Sequence, residues 1–326
     1  MWVRSVQTSA ATPGGRMRFN PKARLDTSRV RDRGRGSGGG RGAGVSGGMP
    51  IPGGLLGGGG ITGVIVVVLF LVLTQCLGDG GGLGTGGGPL DDSRMSGTDR
   101  YASCRTGEDA NQSADCARVA VENSLYDFWS DELGSRFRPE KEVDTFTGAT
   151  STGCGQASSD VGPFYCPVDE TIYLDTTFFD DVLERQLGGP EGGFVEPYVL
   201  AHEYGHHIQN LLGTMGKVKT QQGPTSDSVR LELQADCYAG MWAKAATTTT
   251  DATGEALFSS LTDQDIQQAI EAATAVGDDR IQQRGGGRVN PEQWTHGSAQ
   301  QRVEWFTTGY RQGDLDACDT FAAGAL

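Results

Sequence analysis

Three of the chain's four histidines fall within one six-residue stretch, His202-Glu203-Tyr204-Gly205-His206-His207. On a helix His202 and His206 stand one turn apart on the same face, a spacing that lets both imidazoles grip one zinc ion. Glu203 lies about 100° round the helix from His202, placed to reach a water on that metal without becoming a ligand. Zinc acidifies such a water and polarises a carbonyl while the glutamate takes the proton. The chemistry this pattern points to is hydrolysis of a peptide bond. Two free positions in five leave the pattern only moderately specific, so the surrounding residues have to carry the rest.

The stretch Phe194 to Leu212 is expected to be the helix that presents the motif. Pro197 suits its first turn, Tyr198, Val199, Ala201, Ile208, Leu211 and Leu212 supply apolar faces, and Gly213 is a stop signal. A catalytic zinc keeps three protein ligands and one open position, and Val229 to Gly240 offers the third. Glu232 and Asp236 are four apart and share a helix face. Glu232 would complete the metal site, and Asp236 would accept the N–H of a ligand histidine and fix its tautomer. Two carboxylates one turn apart are also ordinary on a solvated face. Against that, Leu231, Leu233, Ala235, Tyr238, Met241 and Trp242 make the segment mostly apolar, and buried carboxylates need partners.

His296, the one histidine outside the cluster, is a candidate hydrogen-bond donor to the oxyanion of a tetrahedral intermediate. Tyr173, Tyr238 and Tyr310 are alternatives for that role, and a helix cap or loop contact is the plain structural role for His296. His207 points about 100° away from His206 and reads as a packing residue.

His202-Glu203-x-x-His206 followed by Glu232-x-x-Ala235-Asp236 resembles the gluzincin branch of zinc peptidases. The wider text is similar to a bacterial family of membrane-anchored neutral zinc metallopeptidases. The stretches that carry this are Ser151 to Gly155, Gly162 to Pro167, Ile172 to Asp175, Ala201 to Asn210, Glu232 to Gly240 and Thr295 to Ser298, spread over residues 140–326. The resemblance implies one Zn²⁺ held by His202, His206 and Glu232, and peptide or protein substrates. It also implies a strand beside the metal helix to which substrate backbone adds. Ile172-Tyr173-Leu174 is the candidate for that strand, with a plain core strand as the alternative.

Residues Ile61 to Leu77 form a charge-free run, 17 residues long, which predicts one transmembrane helix at the short end of the spanning range. Residues 1–60 carry ten Lys/Arg against two Asp/Glu, and the remainder seventeen against thirty-nine. By the positive-inside rule the chain is expected to be single-pass in the cell membrane, with a cytoplasmic N-terminus and an extracytoplasmic C-terminal domain. Residues 1–60 then read as a basic Gly-rich cytoplasmic tail, 61–77 as the span, 78–99 as a Gly-rich linker and 100–326 as the metallopeptidase domain. The tail has no interleaved aromatics, so lipid rather than nucleic acid is its expected partner.

Six cysteines lie beyond the apolar run, an even number suited to disulfides in an oxidising compartment. Cys104 with Cys116 and Cys154 with Cys166 are the preferred local pairs, leaving Cys237 with Cys318. Helices are expected over Asp115–Leu133, Phe178–Leu187, Asp263–Val276 with Thr262 as cap, and from Ser298 to about Arg311. Strands are expected at Val143–Phe146 and Thr171–Asp175. The fold class is α+β, a zincin-like domain that is mostly helical with a small sheet. A different reading of the same ligands is a zinc-stabilised cell-surface scaffold with little turnover. Glu203 divides the two, because a purely structural zinc does not require it and usually fills its fourth position with protein. A non-proteolytic hydrolase using the same water is a third reading.

Overall fold

The computed structural model describes residues 17–35, 97–190 and 192–326. Its first elements come from a stretch expected to be tail. Arg18–Phe19 (β1) pairs antiparallel with Phe258–Ser260 (β8). Val30–Arg35 (β2) lies parallel to Glu142–Thr147 (β3), with Val30 opposite Val143. The folded domain therefore does not begin near residue 100: residues 17–35 are built into it, and Phe19, Ala23 and Val30 are buried. Their interior partners lie far along the chain, which is why local composition reads them as tail.

Thr171–Asp175 (β7) pairs parallel with β3 on one side and antiparallel with Phe164–Cys166 (β6) on the other, giving the four-stranded order β2-β3-β7-β6. Every residue of β7 is buried, as befits a central strand covered on both faces. This corrects the placement of Ile172-Tyr173-Leu174 at an edge, because both sides of that strand are taken. The edges are β2 and the three-residue β6, and β6 is too short to stand out as a sequence run. A hairpin of Ala149–Thr152 (β4) and Gly155–Ser158 (β5) completes the β structure.

The helices are Gly107–Gln112 (α1), Ala114–Leu133 (α2), Val195–Leu211 (α3), Asp227–Ala245 (α4), Asp263–Ala275 (α5), Asp278–Arg284 (α6) and Ala299–Gln312 (α7). Thr262 and Ser298 close reciprocal capping boxes with Asp265 and Gln301, satisfying amide donors that each helix start would otherwise leave open. The helix expected over Phe178–Leu187 is instead a π-helical turn, Phe179–Glu184. α7 lies against α4 at very short range: a Cβ on Gly309 would stand 1.9 Å from the Cys237 carbonyl oxygen. That approach carries Arg302 of α7 to Asp236 of α4.

Disulfides join Cys104 to Cys116, Cys154 to Cys166 and Cys237 to Cys318. The third ties the C-terminal segment to α4 across a sequence separation of 81. Among the described residues no helix is long and apolar enough to cross a membrane. The run Ile61 to Leu77 expected to do so, and the linker as far as residue 96, lie outside the described residues.

Candidate metal centre

α3 and α4 pack closely because Gly205 offers no side chain where they touch: a Cβ there would stand 3.2 Å from both the Cα and the carbonyl oxygen of Ala235. His202 and His206 project from α3 toward Glu232 of α4. One ligand atom from each of the three lies within 4.8 Å of the others, and all three residues are buried.

The orientation of each ring is set from behind. His202 Nδ1 donates to Asp236 Oδ1 at 2.9 Å, leaving Nε2 aimed at Glu232 Oε2, 3.2 Å away. His206 Nδ1 donates to Gln209 Oε1 at 2.8 Å, and its Nε2 stands 3.5 Å from Glu232 Oε1. Gln209 is held in turn, since its Nε2 donates to the Leu231 carbonyl at 2.7 Å and to Gln234 Oε1 at 3.1 Å. Tetrahedral zinc with bonds of 2.0–2.1 Å separates its ligand atoms by about 3.3 Å, close to the 3.2 and 3.5 Å between the two imidazole Nε2 atoms and the two Glu232 oxygens. Glu232 Oε1 is buried with no hydrogen-bond partner. An unpaired carboxylate oxygen beside two imidazole Nε2 atoms is what a divalent cation would satisfy, so these residues fit zinc.

Charge in the centre is balanced by Arg302. Its guanidinium grips Asp236 in bidentate fashion, Nε to Oδ2 at 2.8 Å and Nη2 to Oδ1 at 2.9 Å, and Tyr198 O–H adds a bond to Oδ1 at 2.6 Å. Burial works to raise the Asp236 carboxyl, but Arg302 and His202 outweigh it and hold it at about 2. Burial likewise works against Glu232, yet His206, His296 and His202 keep it well below the usual carboxylate range. Burial also opposes a charge on His202, and the neighbouring Asp236 and Glu232 raise it regardless. A site that draws a proton this way draws a divalent cation for the same reason, and the two compete.

Glu203 stands apart from these commitments. It is 7 % exposed, and burial raises its carboxyl while His202 and His206 oppose the shift and Glu232 adds to it. β6 is fastened to the metal helix by His207, whose Nε2 donates to the Arg138 carbonyl at 2.8 Å and whose Nδ1 meets the Tyr165 hydroxyl at 3.1 Å. Asn210 donates to the same hydroxyl at 2.9 Å. Burial lowers His207, as suits a neutral packing residue.

His296 approaches from the loop before α7. Its Nδ1 meets Thr295 Oγ1 at 2.8 Å and Asp278 Oδ1 at 3.4 Å. Asp278 Oδ2 also accepts the backbone N–H groups of Thr295, His296 and Gly297, which fixes the loop. His296 Nε2 makes no hydrogen bond among the described residues. Burial opposes a charge on this ring, but Glu232 and Asp278 outweigh it and raise it.

Of the residues picked out from sequence, His202, Glu203, His206, Glu232, Asp236 and His296 are brought to one place. Tyr173 is not among them, since its hydroxyl donates to Asp169. Sequence reasoning missed Gln209, Arg302 and Asp278. Gln209 had a signal, being one turn beyond His206 on the same helix. Arg302 had a weaker one, an arginine next to Val303 on a helix with Trp305 and Phe306 on its apolar side.

Two packed helices beside a mixed sheet present two imidazoles and a carboxylate that could hold one metal ion, with a further glutamate adjacent. The chain belongs to the family described as "Putative neutral zinc metallopeptidase", whose pattern matches residues 17–321. It is 55% identical over 225 residues to an uncharacterized protein of Mycobacterium tuberculosis and, equally, to one of Mycobacterium bovis, covering 68% of this chain and 76% of each relative. It is 43% identical over 199 residues to the uncharacterized protein YpfJ of Escherichia coli, covering 59% of this chain and 64% of that protein. No solved structure gives a significant match.

Proposed function

We propose that this chain is a zinc-dependent peptidase in which His202, His206 and Glu232 hold the metal and Glu203 moves the proton. The observation that carries the reading is the division of labour around one point. Two Nε2 atoms and an unpartnered Glu232 oxygen converge there, while the next carboxylate, Glu203, makes no ion pair among the described residues. Zinc, when bound, supplies a Lewis acid that polarises a carbonyl and lowers the pKa of water. Glu203, its proton affinity raised by burial, takes a proton from the attacking water and returns it to the leaving amine. His296, its Nδ1 side held by Asp278 and Thr295, offers Nε2–H to the developing oxyanion. β6, the antiparallel edge of the sheet beside α3, is the strand to which an extended peptide adds. Membrane lipid is the proposed partner of the apolar run at residues 61–77.

The scaffold reading has no observation of its own, since among the described residues no fourth protein ligand joins the three. The test is cleavage of a mixed peptide library by the full-length chain in detergent, read by mass spectrometry beside Glu203→Gln, with the zinc content of both. Cleavage by the parent alone, at equal zinc, is the expected result. A zinc-loaded parent that cleaves no peptide would overturn the reading in favour of the scaffold, and one that cleaves only esters in favour of a non-proteolytic hydrolase.

A further inference from the structure

The chain leaves the described fold at Arg35 and returns to it at Gly97, and the two ends meet. The Thr98 backbone N–H donates to the Asp32 carbonyl at 3.0 Å, and Thr98 Oγ1 donates to Asp32 Oδ2 at 2.5 Å. A Cβ on Gly34 would stand 3.3 Å from Thr98 Cγ2.

The segment before this junction is bound along its whole length. Asn111 clamps the backbone of Phe19, donating to its carbonyl and accepting from its N–H, both at 2.9 Å. Asn123 does the same to Asp26 at 2.8 and 2.7 Å. Phe19 packs its ring 4.7 Å from that of Phe258. Arg29 donates to the fully buried Glu122 at 2.6 Å and covers the Tyr126 ring, and Arg33 is ion-paired with the fully buried Asp144. Lifting the segment away would strip β3 of one of its two parallel neighbours and leave two buried carboxylates without their cations, which is strongly unfavourable.

A bilayer's hydrocarbon core is about 30 Å thick. A chain that crosses it once between residues 35 and 97 would hold β2 and β3 on opposite faces, where they cannot pair. Two crossings need about 40 apolar residues, and the charge-free run from Ile61 to Leu77 has 17. Exchange of the segment between copies does not escape this, because in every copy of one orientation it would lie on the far side.

We infer that residues 17–35 and 97–326 lie on the same side of the membrane, so that the apolar run, if it enters lipid, enters and leaves by one face. This replaces the single-pass arrangement with a cytoplasmic tail and an external domain, and it places the metal centre on the side of the N-terminal segment. The inference does not depend on the peptidase reading.

The test uses the full-length chain in cells, with one short epitope placed ahead of Met17 and another after Leu326. Spheroplasts are treated with protease before and after permeabilisation. Both epitopes cleaved, or both protected, until permeabilisation supports the inference; one cleaved and one protected overturns it. A second measurement guards against epitopes that themselves alter orientation. Arg18→Cys with Ser260→Cys places cysteines at directly paired positions of β1 and β8. Oxidation of membranes carrying this variant should give an intrachain 18–260 bond, identified by peptide mapping under non-reducing conditions. A membrane-bound chain in which that bond never forms would overturn the inference as well.

Discussion

Asp236→Asn keeps the shape of a buried side chain and removes its charge, and the structure gives the consequence atom by atom. Asp236 Oδ1 accepts from Tyr198, His202 and Arg302, and Oδ2 accepts from Arg302 Nε. An amide has one oxygen. Placed at the δ1 position it keeps three bonds, but its NH₂ then faces Arg302 Nε, donor against donor, at 2.8 Å. Arg302, only 4 % exposed, is left a buried cation without a counter-charge. Breaking a buried pair from one side costs about 3–5 kcal/mol. His202 loses its anionic acceptor, and weakening such a support typically costs about 10- to 100-fold in metal affinity. Calorimetry of the metal-free protein should show the stability loss, and competition with a chromophoric chelator the weaker zinc binding. Adding Arg302→Gln should recover much of the stability without recovering the affinity, because His202 still faces a neutral acceptor. A single variant within about 1 kcal/mol of the parent, binding zinc equally well, would refute the assignment of Asp236 as the group that orients His202 and pairs with Arg302.

His296→Ala should lower kcat by about 10²- to 10³-fold while zinc content and melting temperature stay near those of the parent; loss of zinc instead would make His296 a support of the metal site. For acid stability the sign follows from Asp236, whose pKa is lowered from 3.8 to about 2. Its contribution, about 2 kcal/mol, is present above pH 4 and lost as pH falls through 2, so acid titration of the metal-free parent should show a stability loss in that window that is missing from Asp236→Asn.

The clustering of the candidate ligands was legible because its information is local. His202 and His206 need only helical spacing to share a face, and Glu232 and Asp236 betray themselves as carboxylates among Leu231, Leu233 and Ala235. What was not legible depends on pairing across the chain. Arg302 reaches Asp236 over a separation of 66 residues, and nothing near Arg302 in sequence names its partner. The edge strand failed for a related reason. Thr171–Asp175 and Phe164–Cys166 are both buried runs, and which of them lies outermost is decided by hydrogen bonds to β3, not by composition. The longer run was the one visible in sequence.

The N-terminal segment spends part of its basic charge inside the fold. Arg29, Arg31 and Arg33 contribute to the basic excess that suggested a cytoplasmic tail. In the structure they are paired with Glu122, Glu142 and Asp144, two of them against fully buried carboxylates. The positive-inside rule weighs basic residues that are free to interact with the membrane surface, and charges neutralised within a folded domain do not act that way. The Gly-rich text from Gly34 onward hid the boundary, because strand β2 runs straight into it with no apolar alternation to mark its end. The same arginines that argue for a crossing when read as a tail argue against one when read as the edge of a sheet. The topology we infer rests on the pairing, because strand hydrogen bonds and buried ion pairs require contact, whereas a charge excess requires only proximity to a membrane surface.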